Sequence, residues 1–323
     1  MTAGPVQSCS TCGEQVTATV SVGIALGGRG SVGDALLRDA DAAMYQAKER
    51  GRNRFEFFDT DLHSHALAWL NTEAALRRAI SDTEFRLAYQ PIFDLKTGVI
   101  RSVEALLRWD DPDRGELAPE EFLSVAEESG LIVPIGTWVL REACLQSRRW
   151  RDEYPEAGAF PVAINVATQQ LRRPEFVDEV VAAMAEAGIG PEGISLELTE
   201  TVLMDAHATP VAARLHEMGI GLALDDFGTG YSSLSHLERY SVDSVKIDAS
   251  FVAGLEHNSR DAAIITAVLG ITRALDLTAI AEGVETIEQR ERLRGLGCDQ
   301  GQGYLFGRAA PAQAISNLLR ARR

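Results

Sequence analysis

The stretch GLALDDFGTG, residues 221–230, places two adjacent aspartates, Asp225 and Asp226, at the end of a short apolar run and just before a glycine-rich turn. Within the run, Leu222 and Leu224 alternate with small residues, as side chains do on a β-strand. Two neighbouring carboxylates at this position indicate a polar site where the strand enters its loop.

Seven further strand-like runs alternate with longer amphipathic stretches between about Thr72 and the C-terminus. In chain order they are LAYQPI, VEALLRW, VAINVA, ISLELTE, SVKID, TAIAEG and GYLF, with GLALDD between ISLELTE and SVKID. Eight βα-type repeats in about 250 residues predict an α/β fold, a (β/α)8 TIM-like barrel.

Each run divides into a face toward the barrel shell and a face toward the lumen, because successive side chains of a strand point to opposite sides. In ISLELT, residues 194–199, the isoleucine and the leucines share one face, and Ser195, Glu197 and Thr199 share the other. A lumen filled only for stability would carry bulky Val, Ile and Leu. Here small residues precede one polar residue near the carboxyl end of each strand, so we predict a site at that end of the barrel. Its candidates are Glu104, Asn165, Glu197, Asp225, Lys246, Glu282 and Gln302.

The spacing of these candidates supports one residue per βα unit, since successive members lie roughly 20 to 36 residues apart. The first interval, from Glu104 to Asn165, is about twice as long as the others. Either a strand lies in this interval without supplying a ligand, or the helices there are longer.

The chemistry of the set points to divalent cations. Its carboxylates are Glu104, Glu197, Asp225, Asp226 and Glu282. Without counter-charges they would repel one another, and oxygen ligands without His or Cys favour Mg²⁺ or Mn²⁺ over zinc. Two such ions about 3.5 to 4 Å apart imply phosphoryl chemistry. Taken singly, each residue has a structural alternative, such as a solvated rim charge, a turn aspartate or an asparagine that satisfies backbone groups.

The N-terminal 58 residues predict a small β-α-β fragment. QVTATVSVGIAL alternates like a strand, SVGDALLRDADAAMYQAKERG has helical spacing with Gly51 as a stop, and FEFF resembles a second strand. The fragment resembles the C-terminal part of a GGDEF (diguanylate cyclase) domain, but the GGDEF loop itself does not occur in the chain. We therefore expect no cyclase activity from residues 1–58 and assign residues 59–71 to a helical connector.

The bulk composition limits the partners. With 47 acidic and 31 basic residues the net charge is -16, which disfavours binding to DNA or RNA duplexes or to an anionic membrane surface. The first 15 residues lack the features of a secretory signal and no apolar run is long enough for a membrane span, so we predict a cytoplasmic protein. Cys9 and Cys12 form a CxxC, but Cys144 and Cys298 are isolated, which favours reduced thiols in a mobile tail over a metal or redox site.

Residues 72–323 closely resemble the EAL-domain cyclic di-GMP phosphodiesterases. The name motif stands as Glu104-Ala105-Leu106, and the ordered series of motifs is YQP, EALLRW, INVA, ELTE, DDFGTGYSSL, KID, AEGVE and QGYLF. The resemblance implies metal-dependent hydrolysis of cyclic di-GMP to linear pGpG with two Mg²⁺ or Mn²⁺ ions, in a homodimer.

The resemblance also implies roles for single residues. The positions that match the metal ligands of the family are Glu104, Asn165, Glu197, Asp225, Asp226 and Glu282. Lys246 matches the lysine that helps to activate the attacking water. The positions that match substrate-holding residues are Gln90, Leu106, Arg108 and Gln302.

Further matches concern support and loop control. Thr199, Asp248 and Glu285 resemble supporting residues, and Glu200 matches the glutamate that tethers the loop after Asp226. Gly228 and Gly230 would let that loop rearrange.

The sequence departs from the family pattern at two positions. Ala167 replaces the usual serine after the Asn-Val pair, and Ala309 the usual proline after the final arginine. Neither change removes a ligand, so we expect activity to persist. Two alternatives stay open: a catalytically silent cyclic di-GMP receptor or scaffold, and another metal-dependent barrel enzyme that uses Lys246 as a base. The second would not account for the substrate-holding positions.

Overall fold

The structure is a computed structural model, and it describes residues 9–11, 14–16, 20–25, 33–58, 60–155, 160–228, 242–255 and 257–320. The chain divides into two compact units, Met1–Ala75 and Leu76–Arg323. Cys12, whose thiol is part of the predicted CxxC, lies outside the described residues, as does the side chain of Cys9.

The N-terminal unit contains the predicted β-α-β arrangement. After an antiparallel pair, β1 (Cys9–Thr11) and β2 (Glu14–Val16), the strand β3 (Val22–Ile24) leads to helix α1 (Gly33–Glu49) and to β4 (Phe55–Phe57), which pairs in parallel with β3. The helix packs so closely on β3 that a Cβ atom at Gly23 would lie 1.9 Å from the carbonyl oxygen of Ala40. Only glycine permits this approach.

Helix α2 (Thr60–Asp82) covers the predicted connector and continues beyond Thr72. The helix is followed by Thr83, which has a positive φ of 57°. Among the described helices, none is both long enough and apolar enough to cross a membrane.

The second unit is a closed barrel. The order of its strands along the chain is β5 (Phe85–Asp94), β6 (Ile100–Asp111), β7 (Gly115–Leu117), β8 (Val162–Asn165), β9 (Ile194–Thr199), β10 (Gly221–Phe227), β11 (Ser244–Ile247), β12 (Thr278–Ala281) and β13 (Gln300–Gly301). All except β7 form an eight-stranded ring within the described residues, closed by the pairing of β5 with β6, and β7 extends the sheet from β6 as a hairpin. The predicted barrel is confirmed.

Two details of the prediction were wrong. Strand β5, predicted as the first parallel repeat, runs antiparallel to both of its neighbours, β6 and β13. The predicted strand GYLF is a turn, and the last barrel strand lies just before it. The reason is Gly303, which has a φ of +154° and passes so close to Val284 that a Cβ atom would lie 2.2 Å from the backbone nitrogen of Val284.

Ten helices of the described residues surround or connect the strands. They are α3 (Leu123–Glu128), α4 (Ile132–Glu153), α5 (Thr168–Leu171), α6 (Phe176–Ala187), α7 (Glu200–Leu203), α8 (Ala208–Glu217), α9 (Ala249–Gly254), α10 (Ser259–Ala274), α11 (Ile287–Leu296) and α12 (Ala312–Arg320). The described residues of the long interval between Glu104 and Asn165 form the β6–β7 hairpin, α3 and the 22-residue α4, and they contain no further barrel strand. Longer helical structure therefore explains the interval.

The core lies between the strands and these helices. Most shell-facing side chains of the strands are apolar and buried, and five of them are at most 1% exposed: Val103, Val162, Ile164, Leu196 and Leu224. Burial of this apolar layer fixes the register of each strand, since a shift by one residue would move every polar lumen residue into the shell.

Candidate active site

The lumen holds a layer of buried polar side chains near the carboxyl ends of the parallel strands. Glu104, Glu197 and Lys246 are 5%, 2% and 1% exposed, and they lie on strands β6, β9 and β11. The alternation read from the sequence places all three on the lumen face. Long charged side chains at such positions are rare unless they are paired.

Lys246 lies at the centre of this layer. Its Nζ atom is 2.7 Å from Oε2 of Glu197 and 2.7 Å from Oε1 of Glu282. It is also 3.3 Å from Oδ1 of Asp225 and 3.5 Å from Oε2 of Glu104. One ammonium thus faces four carboxylates from four strand ends.

The pKa values follow from this crowding. Burial would lower the pKa of Lys246, but the surrounding carboxylates hold it well above its usual value. Burial and the charge of Glu104 raise the pKa of Glu197. Burial, together with Asp225 and Glu104, raises the pKa of Glu282 to about 7 against the opposing effect of Lys246. A single cation does not compensate all of the negative charge.

Asp225 and Asp226 are adjacent residues of β10, yet their carboxylates lie at the same site. Between Leu224 and Phe227 strand β10 carries one residue more than β11, which is a β-bulge, and Asp226 has a positive φ of 54°. A bulge re-aims side chains, and this backbone region is rare outside glycine. One carboxylate oxygen each of Asp225, Asp226 and Glu282 lie within 4.8 Å of one another.

Asn165 and Gln302 connect to Glu104 from either side. Nδ2 of Asn165 donates to Oε1 of Glu104 at 2.7 Å, and Nε2 of Gln302 donates to Oε2 of Glu104 at 2.7 Å. Gln302 also donates to Oε1 of Gln90 at 3.0 Å, and Gln90 donates to the carbonyl of Gly307 at 2.9 Å. The contacts to the carboxylate fix the orientation of both amides, because the opposite orientation would place two oxygens against each other.

This orientation leaves two amide oxygens for other partners. Oε1 of Gln302 is buried without a hydrogen-bond partner among the described residues. Because the Nδ2 atom of Asn165 is used by Glu104, its Oδ1 atom is the atom that a cation would contact. A buried amide oxygen without a partner is unusual in a folded protein, and Oε1 of Gln302 is available to accept a hydrogen bond.

Two other predicted substrate-holding residues, Leu106 and Arg108, lie on the same face of β6 as Glu104 and nearer its carboxyl end. Nη1 of Arg108 donates to the carbonyl of Leu107 at 2.8 Å, and Nε lies 3.8 Å from Glu116. Both residues are half-buried. They flank the carboxylate layer without a hydrogen bond to it among the described contacts.

The predicted supporting residues differ in their contacts. Oε1 of Glu200 accepts a hydrogen bond at 2.9 Å from the backbone N–H of Gly228, which lies two residues after Asp226. Thr199 bonds to Thr201 at 2.8 Å, and Asp248 accepts from the N–H of Ser250 at 3.0 Å as the N-terminal cap of α9. Residues 229–241, which include Gly230, lie outside the described part of the chain.

Glu285 is exposed, and its described contact is a backbone N–H that donates to Gln289. Its predicted supporting role stays a prediction, as do the roles of the other site residues. Tyr304 and Arg308, which follow Gln302, were not predicted from the sequence as site residues. The guanidinium carbon of Arg308 lies 3.9 Å from the ring centroid of Tyr304, a cation–π contact. The available signal was Tyr304 within the motif QGYLF and Arg308 two residues after the end of that motif.

The side chains fit oxygen-preferring divalent cations. The donor set consists of oxygen atoms, from the three clustered carboxylates and from the available amide of Asn165. Mg²⁺ and Mn²⁺ prefer such donors. The raised pKa of Glu282 reflects the negative charge that surrounds it. Cations at these carboxylates would offset the charge that Lys246 leaves uncompensated.

Fold and site together define an α/β barrel protein with an acidic site at the carboxyl ends of its strands. Residues 73–309 match the family model described as EAL domain, and residues 6–54 match the one described as diguanylate cyclase, GGDEF domain. The chain belongs to the EAL domain family, with a short GGDEF fragment before the EAL domain.

Two curated relatives come from Pseudomonas aeruginosa. The bifunctional diguanylate cyclase/cyclic di-GMP phosphodiesterase MucR is 42% identical over 304 residues, which cover 93% of this chain and 44% of MucR. The cyclic di-GMP phosphodiesterase NbdA is 40% identical over 314 residues, which cover 96% of this chain and 40% of NbdA. This chain therefore spans less than half the length of either relative.

Two solved structures share the fold. The MucR phosphodiesterase in complex with c-di-GMP is 42% identical with a TM-score of 0.72, and the match covers 76% of this chain and 99% of that one. The manganese/cyclic di-GMP complex of BlrP1 from Klebsiella pneumoniae is 30% identical with a TM-score of 0.61. That match covers 70% of this chain and 56% of the other.

Proposed function

We propose that this chain hydrolyses one phosphodiester bond of cyclic di-GMP and releases linear pGpG. The observation that carries the proposal is the cluster of Asp225, Asp226 and Glu282 beside the buried Lys246 at the mouth of an EAL-domain barrel. Support comes from MucR and NbdA, which are named cyclic di-GMP phosphodiesterases.

The residues that would hold two Mg²⁺ or Mn²⁺ ions are Glu104, Asn165, Glu197, Asp225, Asp226 and Glu282. When bound, the ions would supply Lewis-acid activation of water and compensation of the charge on the phosphodiester. The manganese complex of BlrP1 supports a metal requirement in a relative of this fold.

The hydrolysis forms one bond from the water oxygen to phosphorus and breaks the bond from phosphorus to the 3′-oxygen of a ribose. The water loses a proton and the leaving oxygen gains one. Lys246 holds a positive charge within 3.5 Å of four carboxylates, so it is placed to orient the water and to stabilise developing negative charge.

The chain's own polar groups would hold the dinucleotide. Oε1 of Gln302 is a free acceptor for an N–H or O–H of the substrate, and its position is fixed by the contacts of Nε2 with Glu104 and Gln90. Arg108, at the end of β6, suits a phosphate or the edge of a guanine. Leu106 would contribute an apolar contact between them.

The remaining assignments are also proposals. We assign residues 1–58 to the GGDEF fragment, 59–71 to a connector and 72–323 to the phosphodiesterase domain, which would act as a cytoplasmic homodimer. The hydrogen bond from Gly228 to Glu200 supports a role of Glu200 in control of the following loop. Unchanged metal affinity and turnover in Glu200→Ala would remove that role.

The test is a steady-state assay of pGpG formation with Mg²⁺ and with Mn²⁺. The wild-type protein should hydrolyse cyclic di-GMP, whereas the kcat of Glu104→Ala and of Lys246→Ala should be at least a hundredfold lower. Glu217→Gln is a matched control, because Glu217 is exposed at the end of α8, and it should keep the wild-type rate. Near-normal rates in both site variants would contradict the assignment, and binding without cleavage in the wild type would identify a receptor.

A further inference from the structure

Of the proposed metal ligands, all of which lie in the described part of the chain, Glu282 alone lies outside a strand. Strand β12 ends at Ala281, and helix α11 begins at Ile287. The pairing of β12 with β11 also ends at Ala281. The position of the Glu282 carboxylate therefore depends on what holds the segment 282–286.

Neighbouring elements hold the first half of this segment. The backbone N–H of Glu282 donates to the carbonyl of Ile247, the last residue of β11, at 3.0 Å. Gly283 packs against the start of α9, where a Cβ atom added to Gly283 would lie 2.6 Å from the Cβ atom of Ala249. This half of the segment is thus held mainly by backbone contacts and close packing.

One side-chain atom holds the second half. Oε1 of Gln289 accepts a hydrogen bond from the backbone N–H of Glu285 at 2.8 Å and another from that of Thr286 at 3.0 Å. Nε2 of the same amide donates to the carbonyl of Val252 at 3.3 Å. Gln289 is the third residue of α11 and is 6% exposed. Both ends of a buried amide are therefore bonded, each to a different part of the chain.

These contacts exceed what the start of a helix requires. In a capping box, the third helical residue accepts from the N–H of the residue before the helix, and glutamate serves there as well as glutamine. An ionised glutamate could not donate to Val252. Val252 lies in α9, which begins two residues after β11, the strand of Lys246. Gln289 thus connects the segment that carries Glu282 with the helix that follows Lys246.

We infer that Gln289 is a positioning residue for the metal site. It fixes segment 282–286 so that the carboxylate of Glu282 stays 2.7 Å from Lys246 and within the cluster that includes Asp225 and Asp226. The described hydrogen bonds of the Gln289 side chain all go to backbone groups, so it acts through the segment. The inference rests on the proposed function, because it takes Glu282 as a ligand of Mg²⁺ or Mn²⁺.

The experiment measures Mn²⁺ binding to the full chain, without substrate, by isothermal titration calorimetry. Gln289→Met removes both hydrogen-bonding ends and keeps the length of the side chain. Its dissociation constant for Mn²⁺ should rise about tenfold, with the number of sites per chain unchanged. A role in stability alone would instead lower the number of intact sites and leave the dissociation constant unchanged.

Two further variants make the result specific. Gln289→Asn keeps the amide but is too short to reach both partners, so its dissociation constant should also rise, and it decides the result if Gln289→Met does not fold. Gln146→Met is the matched control, because Gln146 is buried in α4 and bonds to Arg149 outside the candidate site. This control should bind Mn²⁺ like the wild type.

Four outcomes would overturn the inference. They are an unchanged dissociation constant in both Gln289 variants, a loss confined to the number of sites, an equal rise in Gln146→Met, and no Mn²⁺ binding in the wild type. Formation of pGpG from cyclic di-GMP is measured separately. If Mn²⁺ affinity depends on Gln289 but no pGpG forms, the inference stands and the proposed function fails.

Discussion

The Nζ atom of Lys246 lies 2.7 Å from Oε2 of Glu197, and both side chains are 1% exposed. Removal of the ammonium would leave Glu197 buried beside Glu104 without a counter-charge. Breaking a buried ion pair by removal of one partner typically costs about 3 to 5 kcal/mol. We expect Lys246→Met to lower the free energy of unfolding by about this amount in EDTA, as measured by urea denaturation.

Two comparisons make this prediction specific. Lys96→Met, at an exposed lysine, should change the free energy of unfolding by less than about 0.5 kcal/mol. The double variant Lys246→Met/Glu197→Gln should recover part of the loss, because both charges are then absent. Equal stability of Lys246→Met and the wild type would show that the ammonium does not compensate the carboxylates.

The positive φ of Asp226 predicts a preference for glycine. Both Asp226→Gly and Asp226→Ala remove the carboxylate, but alanine pays a steric cost of about 1 kcal/mol in the left-handed region. Asp226→Gly should therefore be the more stable variant in urea denaturation. At Asp113, which is exposed and does not have a positive φ, the same pair should show no such preference for glycine. If Asp226→Gly and Asp226→Ala differed in stability no more than Asp113→Gly and Asp113→Ala, the bulged geometry would be contradicted.

The cluster of Asp225, Asp226 and Glu282 predicts which substitutions weaken metal binding. Asp226→Asn and Glu282→Gln keep the shape of the side chain and remove its charge, so each should reduce Mn²⁺ affinity at least tenfold in isothermal titration calorimetry. Asp113→Asn is the matched control and should bind Mn²⁺ like the wild type. Unchanged affinity in both cluster variants would place the metal elsewhere.

We expect Asp94 to contribute to the stability of the fold in a way that depends on pH. Burial would raise the pKa of Asp94, but hydrogen bonds from Arg101 and from the backbone N–H groups of Thr97 and Lys96 lower it to about 2. Because the folded-state pKa is below the unfolded one, the stabilisation is complete above about pH 4 and is lost as the pH falls toward 2.

The check is Asp94→Asn in urea denaturation at pH 6 and at pH 3. The variant should be about 1 kcal/mol less stable than the wild type at pH 6, because charge-assisted hydrogen bonds are lost, and the difference should narrow at pH 3. A difference of the same size at both pH values would mean that the carboxylate charge contributes nothing.

Much of the barrel could be predicted from the alternation of single strands. In ISLELT, the apolar residues identified the shell face, and the structure places Glu197 in the lumen as expected. The direction of β5 could not be predicted, because an alternating pattern such as that around Tyr89 and Gln90 reads the same in parallel and antiparallel strands. The turn at Gly303 depends on its approach to Val284, which is a tertiary contact.

The position of polar side chains at the strand ends could be predicted from the sequence, but their contacts could not. One polar residue per strand end was enough to collect Glu104, Asn165 and Lys246. The orientation of Gln302 between Glu104 and Gln90, and the bulge that aims Asp226, depend on distances between strands that no local pattern contains.

The most direct test of the central claim is a reaction with cyclic di-GMP and Mn²⁺ in water enriched in ¹⁸O, with the products analysed by mass spectrometry. We expect the wild type to form pGpG that carries one ¹⁸O atom in its new terminal phosphate, and we expect no product in EDTA or from Glu104→Ala. Cyclic di-GMP that binds to the wild type but is recovered intact with either Mg²⁺ or Mn²⁺ would contradict the claim.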